Sequence, residues 1–254
     1  MTDICVVGLG YIGLPTAAMF AKHGFHVLGV DKNPSVVSLI NGGDTPIEEP
    51  GLKTLLQAAV KSGNLTAQSQ VQPADAYVVA VPTPVTDDQR PDLGDLTSAC
   101  RSIAPHLRRN DLVVIESTVP PGATSNTVAP LLEESGLKVG TEFSLAHCPE
   151  RVLPGAILRE IVSNDRIVGG IDARSTERAA ELYRSFVSGT IHSTDATTAE
   201  MVKLSENTFR DVNIALANEL SLIASRLGVD VWQVIDLANK HPRVNMNRPG
   251  PGVG

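Results

Sequence analysis

Residues 4–13 read ICVVGLGYIG, and this stretch decides the fold. The apolar residues at its start predict a buried parallel strand, and the glycines that follow have the GxGxxG spacing of a dinucleotide-binding turn. In such a turn Gly8 permits the tight bend, Gly10 lets the backbone approach a pyrophosphate, and Gly13 allows a helix to pack closely on the strand. The stretch therefore predicts the start of a dinucleotide-binding βαβ unit.

An acidic residue, Asp31, follows the next apolar run at residues 27–30. The helix predicted between the two runs, over residues 14–22, would direct its positive N-terminus at the phosphates. Asp31 would accept hydrogen bonds from both ribose hydroxyls of an adenosine and would repel a 2′-phosphate. The pattern therefore predicts NAD, rather than NADP, as the cofactor. A glycine-rich turn in an unrelated α/β domain is the alternative.

The composition of the chain argues against several other classes of protein. The chain has 254 residues, 42% of them hydrophobic, and can form one large domain or two small ones. We expect neither a membrane span nor a signal peptide, and therefore a cytoplasmic protein, because no apolar run is long enough. Three cysteines without metal spacing suit a reducing compartment, and the net charge of −7 argues against nucleic-acid binding.

The pattern along the chain predicts a Rossmann-type, doubly wound parallel sheet followed by a long helix and a short all-α segment. We expect an NAD-binding domain over residues 1–195 and a helical segment over residues 196–254. Further strands are expected at residues 76–81, 111–115, 143–147, 166–169 and 190–192. The long helix, over residues 198–227, would open with a capping box formed by Thr197 and Glu200. It would span about 45 Å, which is typical of a helix that links domains or forms a dimer.

Several polar residues could form a site. Two predicted strands end near hydroxyl groups, at Thr83 and Thr118, and ligands of this fold bind at such strand ends. The alternative to a ligand-binding role is that prolines simply end these strands. Lys203, Asn207 and Arg210 share one face of the long helix, which indicates a site or, alternatively, a solvated surface. Lys203 could carry a proton there, and Arg210 could bind an anionic ligand.

Two shorter segments add charged residues. Glu150 and Arg151 follow a strand, where they could act as a base and a substrate anchor or simply form an ion pair. His241 and Arg243 place positive charge beside the glycine-rich end of the chain. His147 and Cys148 suggest a thiolate nucleophile, but neighbours in a strand point to opposite faces, which argues against that pairing.

Taken together, the sequence resembles the UDP-glucose/GDP-mannose dehydrogenase family. The motifs GLGYIGLP, VAVPTP, ESTVPPG, PER, the helix with Lys203 and Asn207, and PGPGVG occur in the family's order. PERVLPG differs from the PEFLxEG of the UDP-glucose enzymes. With Arg210 and the HPR segment at residues 241–243, it resembles the branch that oxidises UDP-N-acetyl-D-mannosamine for surface polysaccharides.

The resemblance implies roles for individual residues. Lys203 matches the acid/base lysine, acting with Asn207, and Glu150 matches a glutamate that helps to activate water. NAD contacts are implied at Tyr11, Ile12, Asp31, Thr83 and Thr118. Substrate contacts are implied at Arg151, Val152, Lys203, Asn207, Arg210, His241, Arg243 and Gly254. Such enzymes oxidise a primary alcohol to a carboxylate with two molecules of NAD, and a homodimer through the long helix is implied.

One departure from the family concerns the nucleophilic cysteine. The family places it a few residues beyond PGPGVG, and none of Cys5, Cys100 and Cys148 matches it. The second Rossmann-like domain, which the family uses for the uridine nucleotide, is also absent from these 254 residues. We therefore expect an N-terminal portion of such an enzyme, which binds NAD without completing the oxidation alone. Two alternatives stay open: a β-hydroxyacid dehydrogenase that makes one hydride transfer with Lys203 and Asn207, and a free-standing NAD-binding dimerisation module.

Overall fold

A computed structural model describes residues 3–251. Within this range eight strands form one sheet in the order β3-β2-β1-β4-β5-β6-β7-β8. The strands are β1 Ile4–Val7, β2 Val27–Val30, β3 Leu65–Gln68, β4 Ala76–Val79, β5 Leu112–Ile115, β6 Ser144–His147, β7 Arg166–Gly170 and β8 Ile191–Asp195. Neighbouring strands are parallel except β6 and β7, which are antiparallel. The predicted doubly wound α/β fold is confirmed.

Helices cover both faces of the sheet. The helices of the described residues are α1 Gly13–Lys22, α2 Pro34–Asn41, α3 Leu52–Lys61, α4 Gly94–Ile103, α5 Ala129–Glu133, α6 Ile157–Ser163, α7 Ala173–Arg184, α8 Ala196–Leu227 and α9 Val231–Ala238. Those that precede α8 form this covering. Phe20, Leu56 and Tyr183 belong to the core on one face, and Tyr77 and Phe143 belong to the core on the other. Because strand order reverses between β1 and β4, the crevice at their carboxyl ends is where such folds bind ligands.

Strand β3 and helix α6 were not predicted. β3 reads LTAQ, and alternate residues are buried and exposed, so it lacks the continuous apolar run of a central strand. α6 follows PERVLPG, whose two prolines and a glycine favour a loop from sequence alone. A π-helix, Thr124–Val128, directly precedes α5.

The predicted capping box at Thr197 and Glu200 is wrong. Helix α8 begins at Ala196, and the carboxylate of Asp195 accepts a hydrogen bond from the Thr198 amide at 2.8 Å. Glu200 is buried and accepts instead from the backbone amides of Gly122, at 2.5 Å, and Thr124, at 2.8 Å. A tertiary contact with a distant loop therefore replaces the local cap.

The chain divides into two compact units, Met1–Met201 and Val202–Gly254. The first contains the whole sheet, and the second contains most of α8, together with α9 and the residues after it. No helix in the described range is long and apolar enough to cross a membrane.

Candidate functional site

A cavity of about 590 Å³ lies at the carboxyl ends of β1, β2 and β4. Its lining is mostly apolar, with a few polar groups at the edge, as expected for a nucleotide site. It includes five of the residues predicted to bind the cofactor, namely Gly8, Gly10, Tyr11, Ile12 and Asp31. The predicted glycine-rich turn and the acidic residue therefore face one space.

The three glycines within residues 8–13 are required for different steric reasons. Gly8 has φ +93°, and a Cβ there would lie 2.6 Å from the Ala80 carbonyl oxygen. A Cβ at Gly13 would overlap the carbonyl oxygen of Gly8, so this glycine allows α1 to pack against the turn. A Cβ at Gly10 would meet no atom within 4 Å, so the space beside it remains open for a ligand.

The N-terminus of α1 suits a pyrophosphate. No side chain caps this helix, whose N-cap residue is Ile12, and its first turn contains no acidic residue. The first amides of an uncapped helix have no partner within the helix, and the helix dipole adds positive potential. A phosphate beside Gly10 would therefore be favoured by both effects.

Asp31 stands at the end of β2 with its carboxylate held in place. One oxygen accepts a hydrogen bond from the Leu9 amide at 3.0 Å, and the other accepts from the Asn33 amide at 2.9 Å. At the cavity edge, Lys32 donates to Asp95 at 2.6 Å, a hydrogen bond that raises the pKa of Lys32. The fixed negative charge of Asp31 disfavours the 2′-phosphate of NADP.

The structure brings Thr83 and Thr118 together after β4 and β5, and neither residue lines the cavity. The Thr83 hydroxyl donates to the Thr118 carbonyl oxygen at 2.6 Å. One residue before Thr118, the Ser117 hydroxyl donates to the Val81 carbonyl oxygen at 2.7 Å. These bonds join the segments that follow β4 and β5 beside the crevice.

A buried polar network behind these segments was missed by the sequence analysis. Glu116 accepts from Arg166 at 3.1 Å, from Tyr183 at 2.7 Å and from Thr16 at 3.3 Å. Arg166 lies 4.4 Å from the centre of the Tyr183 ring. The network connects β5 with α1, β7 and α7. The sequence feature that could have indicated this network is the position of Glu116, an acidic residue directly after a buried strand.

The segment with Glu150 and Arg151 follows β6 in the first unit. The Glu150 carboxylate accepts from the Val152 amide, and the Arg151 guanidinium donates to the Asp165 carbonyl oxygen at 2.9 Å. All three residues at positions 150–152 are half-buried. Their side chains therefore remain partly open to a ligand.

The other predicted substrate residues belong to the second unit. Lys203, Asn207 and Arg210 are half-buried on α8, and Arg210 donates to the Asn207 side-chain oxygen at 3.4 Å. His241 and Arg243 are exposed after α9, where the Arg243 amide donates to His241 Nδ1 at 3.3 Å. Gly254 lies outside the described residues.

Two asparagines missed by the sequence analysis fix the segment after α9. Asn213 donates to the Asn245 carbonyl oxygen at 2.9 Å and accepts from the Asn247 amide at 2.6 Å. Asn218 makes the same pair of bonds with the backbone of Gly250, at 2.8 and 2.9 Å. Helix α8 thus carries both the Lys203 face and the anchors of this segment.

The three cysteines are buried. Burial raises the pKa of Cys5 and of Cys100 to about 12 and that of Cys148 to about 11. His147 is also buried, which lowers its pKa to about 3, and neither ring nitrogen has a hydrogen-bond partner among residues 3–251. These properties oppose a reactive thiolate, in agreement with the argument against a His147–Cys148 pair.

The fold and the cavity define a dinucleotide-binding protein of the Rossmann class. Residues 2–187 match the NAD binding domain of the UDP-glucose/GDP-mannose dehydrogenase family, and residues 197–254 match the central domain of that family. The chain belongs to this family. The prediction of NAD as the cofactor is confirmed.

Three similar proteins are named as dehydrogenases of N-acetylated sugars or sugar acids. The chain is 52% identical to a UDP-N-acetyl-D-mannosamine dehydrogenase of Methanococcus maripaludis, over 99% of the chain and 58% of the relative. It is also 52% identical to an NDP-N-acetyl-D-galactosaminuronic acid dehydrogenase of Ralstonia solanacearum, over 99% and 61%. A solved UDP-D-ManNAc dehydrogenase of Pyrococcus horikoshii shares 49% identity, with a TM-score of 0.95, over 100% of this chain and 61% of that one. The chain thus spans about three-fifths of the length of these relatives.

Proposed function

We propose that the protein carrying this chain oxidises UDP-N-acetyl-D-mannosamine to UDP-N-acetyl-D-mannosaminuronate, with two NAD reduced and one water oxygen incorporated. The observation that carries the proposal is the Asp31 cavity, in a chain 52% identical to named dehydrogenases of this sugar. The PERVLPG segment, Arg210 and the HPR segment support the N-acetylated sugar. The product would serve the synthesis of surface polysaccharides.

The proposed roles follow the chemistry of each side chain. NAD would accept the hydride, while Lys203, with Asn207, would take the proton of the sugar hydroxyl. Glu150 would orient the hydrolytic water. Thr83 and Thr118 would contact NAD, and Thr118 would also border the reacting carbon. Substrate binding is assigned to Arg151, Val152, Arg210, His241, Arg243 and Gly254.

The second oxidation requires a nucleophile that captures the aldehyde. Cys5, Cys100 and Cys148 are unsuited to this step, because each is buried and its thiol has a raised pKa. We therefore propose that the 254-residue chain binds NAD without forming the uronate. Appreciable uronate formation by this purified chain would contradict that proposal.

We further propose a homodimer through α8. Phe209, Val212, Leu216, Ile223 and Leu227 are each at least half exposed. Because successive helical residues are 100° apart, these five side chains lie within about 60° of one another. Lys203, Asn207 and Arg210 lie on the roughly opposite side of the helix. An apolar stripe of this length is typical of a face that another subunit covers.

We also propose that two parts of the chain have different functions. Residues 1–195 would form the NAD-binding domain, and residues 196–254 would form the helical part that carries the acid/base lysine and the dimer face. We place the protein in the cytoplasm, where NAD and nucleotide sugars are available and where its thiols stay reduced.

The test is a product assay with the protein carrying this chain, NAD and UDP-N-acetyl-D-mannosamine. Two NADH per sugar and a uronate detected by mass spectrometry are expected, and Lys203→Ala should abolish both signals. A single NADH per substrate, obtained with a small hydroxy acid instead, would favour the β-hydroxyacid alternative. NAD binding without turnover of either substrate would favour the free-standing module.

The Ralstonia relative suggests an N-acetylgalactosamine sugar as a second candidate substrate, because its identity to the chain, 52%, equals that of the mannosamine relative. The same assay should therefore include UDP-N-acetyl-D-galactosamine. A higher kcat/KM for the mannosamine substrate supports the proposal, and a higher value for the galactosamine substrate would reassign the sugar.

A further inference from the structure

Glu49 is a buried carboxylate to which neither the motifs nor the proposed roles assign a function. It lies in the loop before α3, and only 8% of it is exposed. One carboxylate oxygen accepts from the Gly155 amide at 2.7 Å, and the other accepts from the Ile157 amide at 2.8 Å. The contacts span 106 and 108 residues of sequence. Glu49 thus connects two segments that are far apart in the chain.

Helix α6 depends on this contact for its N-terminal cap. Its own N-cap residue, Ala156, has no side-chain oxygen, and no local side chain makes a cap hydrogen bond. The first amides of a helix need acceptors when they are buried, and hydrogen bonds to a charged acceptor are the stronger kind. Glu49 therefore supplies the cap that the local sequence lacks.

The rest of the segment is tied to α6 and its flanks. The Leu153 amide donates to Glu160 at 2.9 Å, the Asn164 side chain donates to the Arg151 carbonyl oxygen at 3.5 Å, and Arg151 donates to the Asp165 carbonyl oxygen. Residues 150–156 consequently take their position from α6. A change in the cap of α6 would be transmitted to Arg151 and its neighbours.

We propose that Glu49 is a positioning residue that holds residues 150–156 in the conformation that binds the nucleotide sugar. The proposal rests on the proposed function, because that function makes Arg151 and Val152 substrate contacts. Glu49 does not line the dinucleotide cavity, and its carboxylate bonds to Gly155 and Ile157, which do not line it either. Its loss should therefore weaken sugar binding and leave NADH binding unchanged.

Glu49→Gln is the test variant, because an amide keeps one acceptor but places a donor against a backbone N–H. Glu48→Gln is the matched control, since Glu48 is adjacent and exposed. The protein carrying this chain would be titrated with UDP-N-acetyl-D-mannosamine in the presence of NADH, and separately with NADH. We expect at least tenfold weaker sugar binding for Glu49→Gln, unchanged NADH affinity, and wild-type behaviour for Glu48→Gln. Glu49→Asp, which restores the charge on a shorter side chain, should recover part of the sugar affinity.

Limited trypsin digestion, without any sugar, tests whether Glu49 holds residues 150–156 in one conformation. Cleavage after Arg151 should become several times faster in Glu49→Gln, while cleavage after the exposed Arg109 should stay the same and serve as the reference. Unchanged cleavage after Arg151 would overturn the positioning role, and so would equal sugar affinity in Glu49→Gln and the wild type. Failure of the wild-type protein to bind the sugar, with faster cleavage in Glu49→Gln, would instead contradict the proposed function and leave Glu49 as a structural cap.

Discussion

The carboxylate of Glu116 and the guanidinium of Arg166 form a buried ion pair, 3.1 Å apart, directly behind the Ser117–Thr118 segment. The two side chains are 1% and 8% exposed. Burial of Arg166 is offset by Glu116, by Cys148 and by the Tyr183 ring, and its pKa is raised. The guanidinium of Arg166 therefore keeps its charge in the core, with Glu116 as its neighbouring carboxylate.

Glu116→Gln should lower the free energy of unfolding by about 3–5 kcal/mol, because it leaves Arg166 charged and buried without its counterion. Urea unfolding monitored by circular dichroism measures the change. The control is Glu134→Gln, which removes an exposed partner of Arg101 and should cost less than about 1 kcal/mol. Equal effects of the two substitutions would contradict the assignment of Glu116 as a buried ionic anchor.

Gly10→Ala and Gly13→Ala should separate cofactor binding from folding. Gly10→Ala should unfold at the wild-type temperature but bind NADH at least tenfold more weakly, because the new methyl group occupies the space beside the pyrophosphate. Gly13→Ala should be strongly destabilised, since its Cβ overlaps the Gly8 carbonyl oxygen. Thermal melts and NADH fluorescence titrations check both. Wild-type NADH affinity in Gly10→Ala would show that the pyrophosphate lies elsewhere.

His147 should make the protein less stable as the pH falls. Burial lowers its pKa from 6.5 to about 3, so between these values the unfolded state takes up a proton that the folded state does not. At pH 5 the difference of 1.5 units below 6.5 corresponds to about 2 kcal/mol of lost stability. In His147→Met this loss should be absent.

Urea unfolding of the wild type and His147→Met, at pH 7.5 and pH 5.0, isolates that contribution. The stability difference between the two proteins should shift by about 2 kcal/mol in favour of the variant at the lower pH. A pH-independent difference would show that His147 is protonated in the folded state or is accessible to solvent.

Leu216→Lys should convert the proposed dimer to a monomer, because it places a charge in the middle of the apolar stripe on α8. Asp211→Asn changes the net charge by the same amount on another side of the helix and should leave the dimer intact. Sedimentation velocity at micromolar concentration distinguishes the species. A wild-type protein that is monomeric under these conditions would contradict the proposed dimer.

The sequence predicts the first βαβ unit well because its determinants are local. A continuous apolar run, three spaced glycines and Asp31 each impose a constraint on their own few residues. The long helix is predicted for the same reason, since its periodic pattern persists over many turns. These features predict the sheet edge at which the cavity lies, and they do so without any tertiary contact.

The unpredicted features depend on contacts between distant residues. Glu200 resembles half of a local capping box, yet its carboxylate is used by Gly122 and Thr124, more than 70 residues earlier. Glu49 caps a helix that begins more than 100 residues later. Neither partner can be identified from spacing, because only the folded sheet brings these segments together.

The most direct test is a calorimetric titration of the protein carrying this chain with NADH and with NADPH, followed by UDP-N-acetyl-D-mannosamine added to the NADH complex. We predict that NADH binds at least a hundredfold more tightly than NADPH, that Asp31→Asn reduces this preference, and that the sugar nucleotide binds the NADH complex. Equal affinity for NADH and NADPH, or an NADH complex that does not bind the sugar nucleotide, would contradict the proposed function.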